Sequence, residues 1–160
     1  MGQQELLLTI GAIIIFGMTV VSTNLLTVEQ TEAIYRQQAE LYALSIAQGY
    51  IEEAKTKAFD EKTIQNSANS ASDFTSSASV ESGETYPAYD DIDDFVNIPT
   101  DTTTNLGQMS VNIDVQYVDD GDLQSPVGYR TYYKKMTVSV FNEYLVDTVR
   151  VDYIFAYQKN

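Results

Sequence analysis

From residue 6 to residue 28 the chain is apolar at almost every position, LLLTIGAIIIFGMTVVSTNLLTV, without one charged side chain. At the rise of an α-helix this stretch spans roughly 34 Å, enough to cross a bilayer core of about 30 Å. The pattern predicts a membrane-length helix. From Glu29 the apolar positions become periodic. Ile34, Leu41, Leu44 and Ile51, with Ala39, Ala43, Ala47, Tyr50, Ala54 and Ala58 beside them, recur at steps of three and four, while Glu32, Arg36, Gln37, Glu40, Glu52 and Glu53 lie elsewhere. The first helix is therefore expected to continue in amphipathic form to about Lys62. Beyond that point Asn66-Ser67-Ala68-Asn69-Ser70 offers side chains that compete with helical hydrogen bonds. Such a helix is roughly 85 Å long, too long to bury in one small domain.

In the last third the period changes to two. Val111, Ile113, Val115 and Tyr117 alternate with Ser110, Asn112, Asp114 and Gln116; Met136, Val138 and Val140 with Thr137 and Ser139; Val149, Val151, Tyr153, Phe155 and Tyr157 with Arg150 and Asp152. Three antiparallel strands are expected, each with one wet face. A turn at Asn142-Glu143-Tyr144 joins the last two, the Asp119–Tyr129 segment joins the first two, and a fourth strand is expected near Phe95–Ile98. The stripe on residues 33–58 is the natural cover for the apolar face. Between helix and sheet, residues 64–85 hold nine Ser or Thr, the composition of a surface linker that could carry O-linked sugars. The expected class is α+β: a long N-terminal α-helix packed on a small C-terminal antiparallel sheet. The regions read as 1–28 (membrane-length apolar helix), 29–63 (amphipathic continuation), 64–105 (surface loops) and 106–160 (sheet).

Composition closes most catalytic routes. There is no Cys and no His, hence no disulfide, thiol nucleophile, Ser-His-Asp triad or conventional zinc site, and the chain does not read as an enzyme. The net charge is −14, and residues 64–160 hold fifteen acids against five bases. That balance argues against nucleic acid as a partner, which needs a basic patch. Asp90, Asp91, Asp93 and Asp94 crowd four carboxylates into five residues, a donor set suited to Ca²⁺. They lack the glycine and distal glutamate of an EF-hand loop, so a solvated acidic loop is the simpler reading. Asp119, Asp120 and Asp122 are weighed in the same way, with a turn as their first role. A calcium site gains weight if the two loops meet in space. The twelve tyrosines are read as strand and packing residues rather than as a path for electrons.

Glu5 is the exception within the N-terminal pattern. It stands directly before Leu6-Leu7-Leu8 with no Lys or Arg near it, and an ionised carboxylate there needs a partner. The nearest positive charge would be the α-amino group of Met1, in this subunit or a neighbour. The start Met1-Gly2-Gln3-Gln4-Glu5-Leu6-Leu7-Leu8, running into Ile10-Gly11-Ala12-Ile13-Ile14-Ile15 and then a long amphipathic helix, resembles the mature N-terminus of a type IV pilin. In that family a prepilin peptidase cuts a basic leader after a glycine, leaving a methylated hydrophobic first residue and a glutamate as the fifth. Met1 and Glu5 match those positions, and Met1 is expected to be the first residue after processing.

The resemblance implies a ladle-shaped architecture and a homopolymer. The subunit would wait in the cytoplasmic membrane, be assembled by pilus machinery into an extracellular filament, and serve attachment, motility or aggregation, with Met1 and Glu5 as the subunit-assembly pair. The proline that many pilins carry near Ser22 is absent. A helix-melting segment would therefore fall on Gly11, Gly17 or the run Thr19, Val20, Val21, Ser22 and Thr23, all weak helix formers or glycines. Where many pilins clamp the C-terminal loop with a disulfide, this chain must use packing or a bound ion. Two alternatives stay open: a pseudopilin or minor pilin of a secretion or pilus machine, and a membrane-anchored adhesion or ion-binding module that acts without polymerising.

Overall fold

The computed structural model describes every residue except Met1, Glu81, Ser82, Asn97, Pro99, Lys159 and Asn160. It shows an α+β chain: one helix, α1 (Gln3–Ala54), and then five strands in a single antiparallel sheet. Two compact units are distinguished, Met1–Gln38 and Ala39–Asn160, and α1 contributes to both.

The first unit is helix alone. Its opening turn is closed by Gly2, whose carbonyl accepts from the backbone N–H groups of Glu5 and Leu6. The helix is unbroken through Gly11, Gly17 and Thr19–Thr23, the positions expected to melt. Its threonines show how the backbone stays helical despite β-branching. The hydroxyls of Thr9, Thr19, Thr23, Thr27 and Thr31 each donate to the carbonyl four residues earlier, at 2.8–2.9 Å. Each of these hydroxyls is thus satisfied without water.

In the second unit the end of α1 lies on the sheet. Ala39, Ala43, Ala47, Ile51 and Ala54 are buried in one core with the inner face of the sheet. The expected stripe was broader. Leu41 and Leu44 are 69% and 39% exposed, and Ile34, in the first unit, is 52% exposed. The reason is angular: Leu41 lies two residues from both Ala39 and Ala43, about 200° around the helix axis, and so faces away from them, whereas Ile51, four residues after Ala47, stays on the alanine face. The methyl-sized side chains set a close approach of helix to sheet.

The helix ends at Ala54, earlier than the expected Lys62. Tertiary partners outweigh propensity there. Ala58 leaves the helix to pair its backbone with the next loop, donating to the Asp90 carbonyl at 2.9 Å and accepting from the Ile92 N–H at 3.0 Å. Phe59 is drawn into a ring cluster with Phe74 and Tyr157, and Asp60 caps a 3₁₀ turn at Glu61–Thr63.

The sheet order is β1 (Thr100–Thr104), β2 (Gly107–Asp119), β4 (Tyr133–Phe141), β5 (Val149–Ala156), with β3 (Asp122–Pro126) paired to the far end of β2. The three expected strands are β2, β4 and β5, in register Val111↔Val140, Ile113↔Val138, Val115↔Met136 and Val138↔Val151. The strand expected near Phe95–Ile98 is instead a 3₁₀ turn at Asp93–Phe95 that buries the Phe95 ring, and the chain becomes a strand only at Thr100. β1 and β3 escape pattern reading because they are polar edge strands; β1 is Thr-Asp-Thr-Thr-Thr, with no apolar alternation to detect. A turn with Gly107 at φ +91° leads β1 into β2, and Asp119↔Asp122 closes the expected turn into β3.

Residues 64–85 are more than a surface linker. Ala68 and Phe74 are buried, the Ala68 N–H donates to the Tyr157 hydroxyl at 2.8 Å, and Arg130 Nη1 donates to the Ser72 carbonyl at 2.8 Å. The serines supply turns while a few apolar side chains reach the core.

Candidate functional site

Two regions carry unusual chemistry, one in each unit. In the first, fourteen large apolar side chains between Leu6 and Val28 are 42–75% exposed, and none of the apolar window is buried. Glu5 stands at the start of this surface. Its Oε2 accepts from the Gly2 N–H at 3.2 Å, so within one chain the carboxylate caps its own helix. Met1, the other member of the expected assembly pair, lies outside the described residues.

The second region is a buried polar cluster at one end of the sheet's inner face. Lys134 is in phase with Met136, Val138 and Val140, so the pleat directs it into the core, where it is 1% exposed. Its ammonium donates to the Phe59 carbonyl at 2.8 Å, to Asp60 Oδ2 at 3.0 Å and to Asp93 Oδ2 at 2.8 Å, which uses all three of its protons. The Phe59 and Tyr117 rings lie 4.6 Å and 5.1 Å from the same nitrogen. Asp60 arrives from the segment after α1 and Asp93 from the Asp93–Phe95 turn, and the Ala58 backbone pairing places the two side by side.

Thr75 joins the two carboxylates. Its hydroxyl lies 2.7 Å from Asp60 Oδ2 and 2.8 Å from Asp93 Oδ2. One hydroxyl proton serves only one of them at a time. Burial raises Asp93 above the ordinary carboxylate range, more than Lys134 and the hydrogen bonds lower it. Burial also opposes ionisation of Asp60, but Lys134 and the Thr75 bonds outweigh it and hold Asp60 below that range. Tyr117, 2.8 Å from the Thr75 carbonyl, is pushed up by burial and then by the two aspartates.

The remaining acids of that loop take different roles. Asp91 Oδ1 accepts from the backbone of Asp93 and Asp94, and Asp94 Oδ2 from the backbone of Asp90 and Asp91, so the loop caps itself. Asp90 is exposed, with its carboxylate among those of Glu61 and Glu84. Asp119 and Asp122 work elsewhere. Asp119 accepts from Tyr129 and from the Asp120 N–H, and Asp122 from the backbone of Gln124 and Ser125. The two acidic loops thus have separate partners, and the seven aspartates form no common cage.

Sequence reasoning missed Lys134, Asp60, Thr75, Glu61 and Glu84. The alternation that marked Met136 extends back to Lys134, and a lysine in phase with a core strand was the available signal. The others are gathered by loops that no local pattern describes. No protein-family model, curated protein or solved structure matches this chain.

Proposed function

We propose that the chain is a structural subunit of an extracellular type IV pilus-like filament, held together by its N-terminal helix. The observation that carries this reading is the uncharged, mostly apolar surface exposed from Leu6 to Val28 with Glu5 at its edge. At about 1.5 kcal/mol for each of these side chains, leaving that surface in water forgoes about 20 kcal/mol, more than the 5–15 kcal/mol that typically stabilises a domain. It therefore works under cover. Lipid provides the cover before assembly and neighbouring copies of the helix provide it afterwards, so apolar contact is exchanged without passing through water.

The internally bonded threonines suit both surroundings, because neither asks their hydroxyls for a new partner. Glu5 sets the register: a carboxylate in an apolar bundle is stable only opposite a cation, and the α-amino group of a neighbouring subunit supplies one. The Ala39–Asn160 unit has its own core and presents its polar surface to the medium.

The test is electron microscopy of material sheared from producing cells, with mass spectrometry of the N-terminal peptide. Filaments containing this chain with a methylated Met1 are expected. Chain found only in membranes, unmodified and unpolymerised, overturns the proposal.

A further inference from the structure

We propose that Glu61, Glu84, Asp90 and Asp94 form a calcium site that ties three separate segments of the C-terminal unit together. Carboxylate oxygens of Glu61, Glu84 and Asp90 lie within 4.8 Å of one another. The independent observation is Asp94. Its side chain is fully buried; Oδ2 is used by the loop backbone, Oδ1 has no donor, and the carboxylate is in side-chain contact with that of Glu84. Glu84 Oε2 and Glu61 Oε2 are likewise shielded from solvent and without a donor.

Two carboxylates in contact, with no donor between them, require either a shared proton or a cation. The charges acting on Glu84 are those of Asp94, Asp90 and Glu61, and those acting on Glu61 are Asp90, Asp94 and Asp60, all acidic. The nearby ammonium of Lys134 is already spent on Phe59, Asp60 and Asp93. A hard divalent cation removes this conflict.

The donor set favours calcium. Mg²⁺ keeps several waters and takes one or two carboxylates, whereas Ca²⁺ gathers six to eight oxygens in flexible geometry, and three carboxylate oxygens within 4.8 Å of one another can all reach one such ion. Water completes the shell on the exposed side of Asp90. The ion bridges the segment after α1 (Glu61), the loop before the cis Tyr86-Pro87 bond (Glu84) and the Asp90–Asp94 loop. In a chain without cysteine this is the cross-link that chemistry leaves available.

The full chain, purified in detergent, is stripped with chelator and titrated with calcium chloride while its thermal midpoint is followed. Terbium, excited through the neighbouring Tyr86 and Tyr89, reports direct occupancy. Calcium is expected to raise the midpoint with half-saturation at about 10⁻⁴–10⁻³ M, and Glu61→Gln and Glu84→Gln, which keep shape and lose charge, each to weaken binding about tenfold or more. No shift and no terbium emission at millimolar ion overturns the proposal. So does an undiminished shift in the Glu61→Gln/Glu84→Gln double variant, once its near-ultraviolet circular dichroism shows it folded.

Discussion

Lys134 Nζ stands 2.7 Å from Asp93 Oδ1 and 3.0 Å from Asp60 Oδ2, with every side chain involved at most 1% exposed. An ion pair this deep is a commitment rather than a surplus of stability: desolvation consumes most of the attraction, but removing one partner strands the others. Lys134→Met is therefore expected to cost about 3–5 kcal/mol in urea unfolding of the full chain in detergent. The triple variant Lys134→Met/Asp60→Asn/Asp93→Asn should recover part of that loss. A single-variant loss under about 1 kcal/mol would show that water reaches the cluster.

The two faces of α1 in the C-terminal unit should respond oppositely. Ala43 is fully buried against the sheet and Leu41 is 69% exposed. Ala43→Leu overpacks that contact and should destabilise by about 1–3 kcal/mol, whereas Leu41→Ser should stay within about 0.5 kcal/mol for the isolated chain. Equal effects in the same unfolding assay would contradict this packing.

Thr75→Val tests the bridge between the two aspartates. The variant keeps the shape but removes the hydroxyl donor that Asp60 and Asp93 share. A loss of about 1–3 kcal/mol is expected, with Thr75→Ser close to the parent protein. If valine were neutral, the carboxylates would have found another partner.

Stability should fall with rising pH when chelator keeps cations away. Burial first, and then Asp93 and Asp94, push Asp91 from the ordinary 3.8 up to about 8. Folding therefore takes up a proton between those two values. Its contribution is full below the lower one and is lost as pH rises through the upper. Asp60, held low, acts oppositely, but only in the acid limb. The urea midpoint should thus be higher at about pH 5.5 than at about pH 8. Asp91→Asn keeps the acceptor for the Asp93 and Asp94 N–H groups and should flatten the slope. A midpoint that climbs from the lower to the higher pH rules this out.

Glu5→Gln removes the charge while preserving the Gly2 contact. If Glu5 meets a neighbour's α-amino group, filament yield in sheared fractions should fall at least about tenfold, the equivalent of 1.4 kcal/mol. Glu5→Asp should fall less. Parental yield from the glutamine variant would remove Glu5 from assembly.

Periodicity carried the regular part of this protein. A run without charges from residue 6 to residue 28 and a three-to-four repeat after it specify one long helix, and three stretches of strict alternation specify β2, β4 and β5. These features are local, written in the spacing of neighbours along the chain. Glu5 stood out for the same reason, as a single charge against an apolar run. Tertiary structure alone decided which helical face is covered, alanine rather than leucine, because that depends on how closely the sheet can approach. It also ended the helix at Ala54, where the Ala58 backbone and the Phe59 ring find better partners in distant loops. The Asp60–Lys134–Asp93 cluster and the Glu61–Glu84–Asp90–Asp94 group join residues dozens of positions apart. Their chemistry arises from burial and mutual contact, which no single segment possesses until the chain has folded.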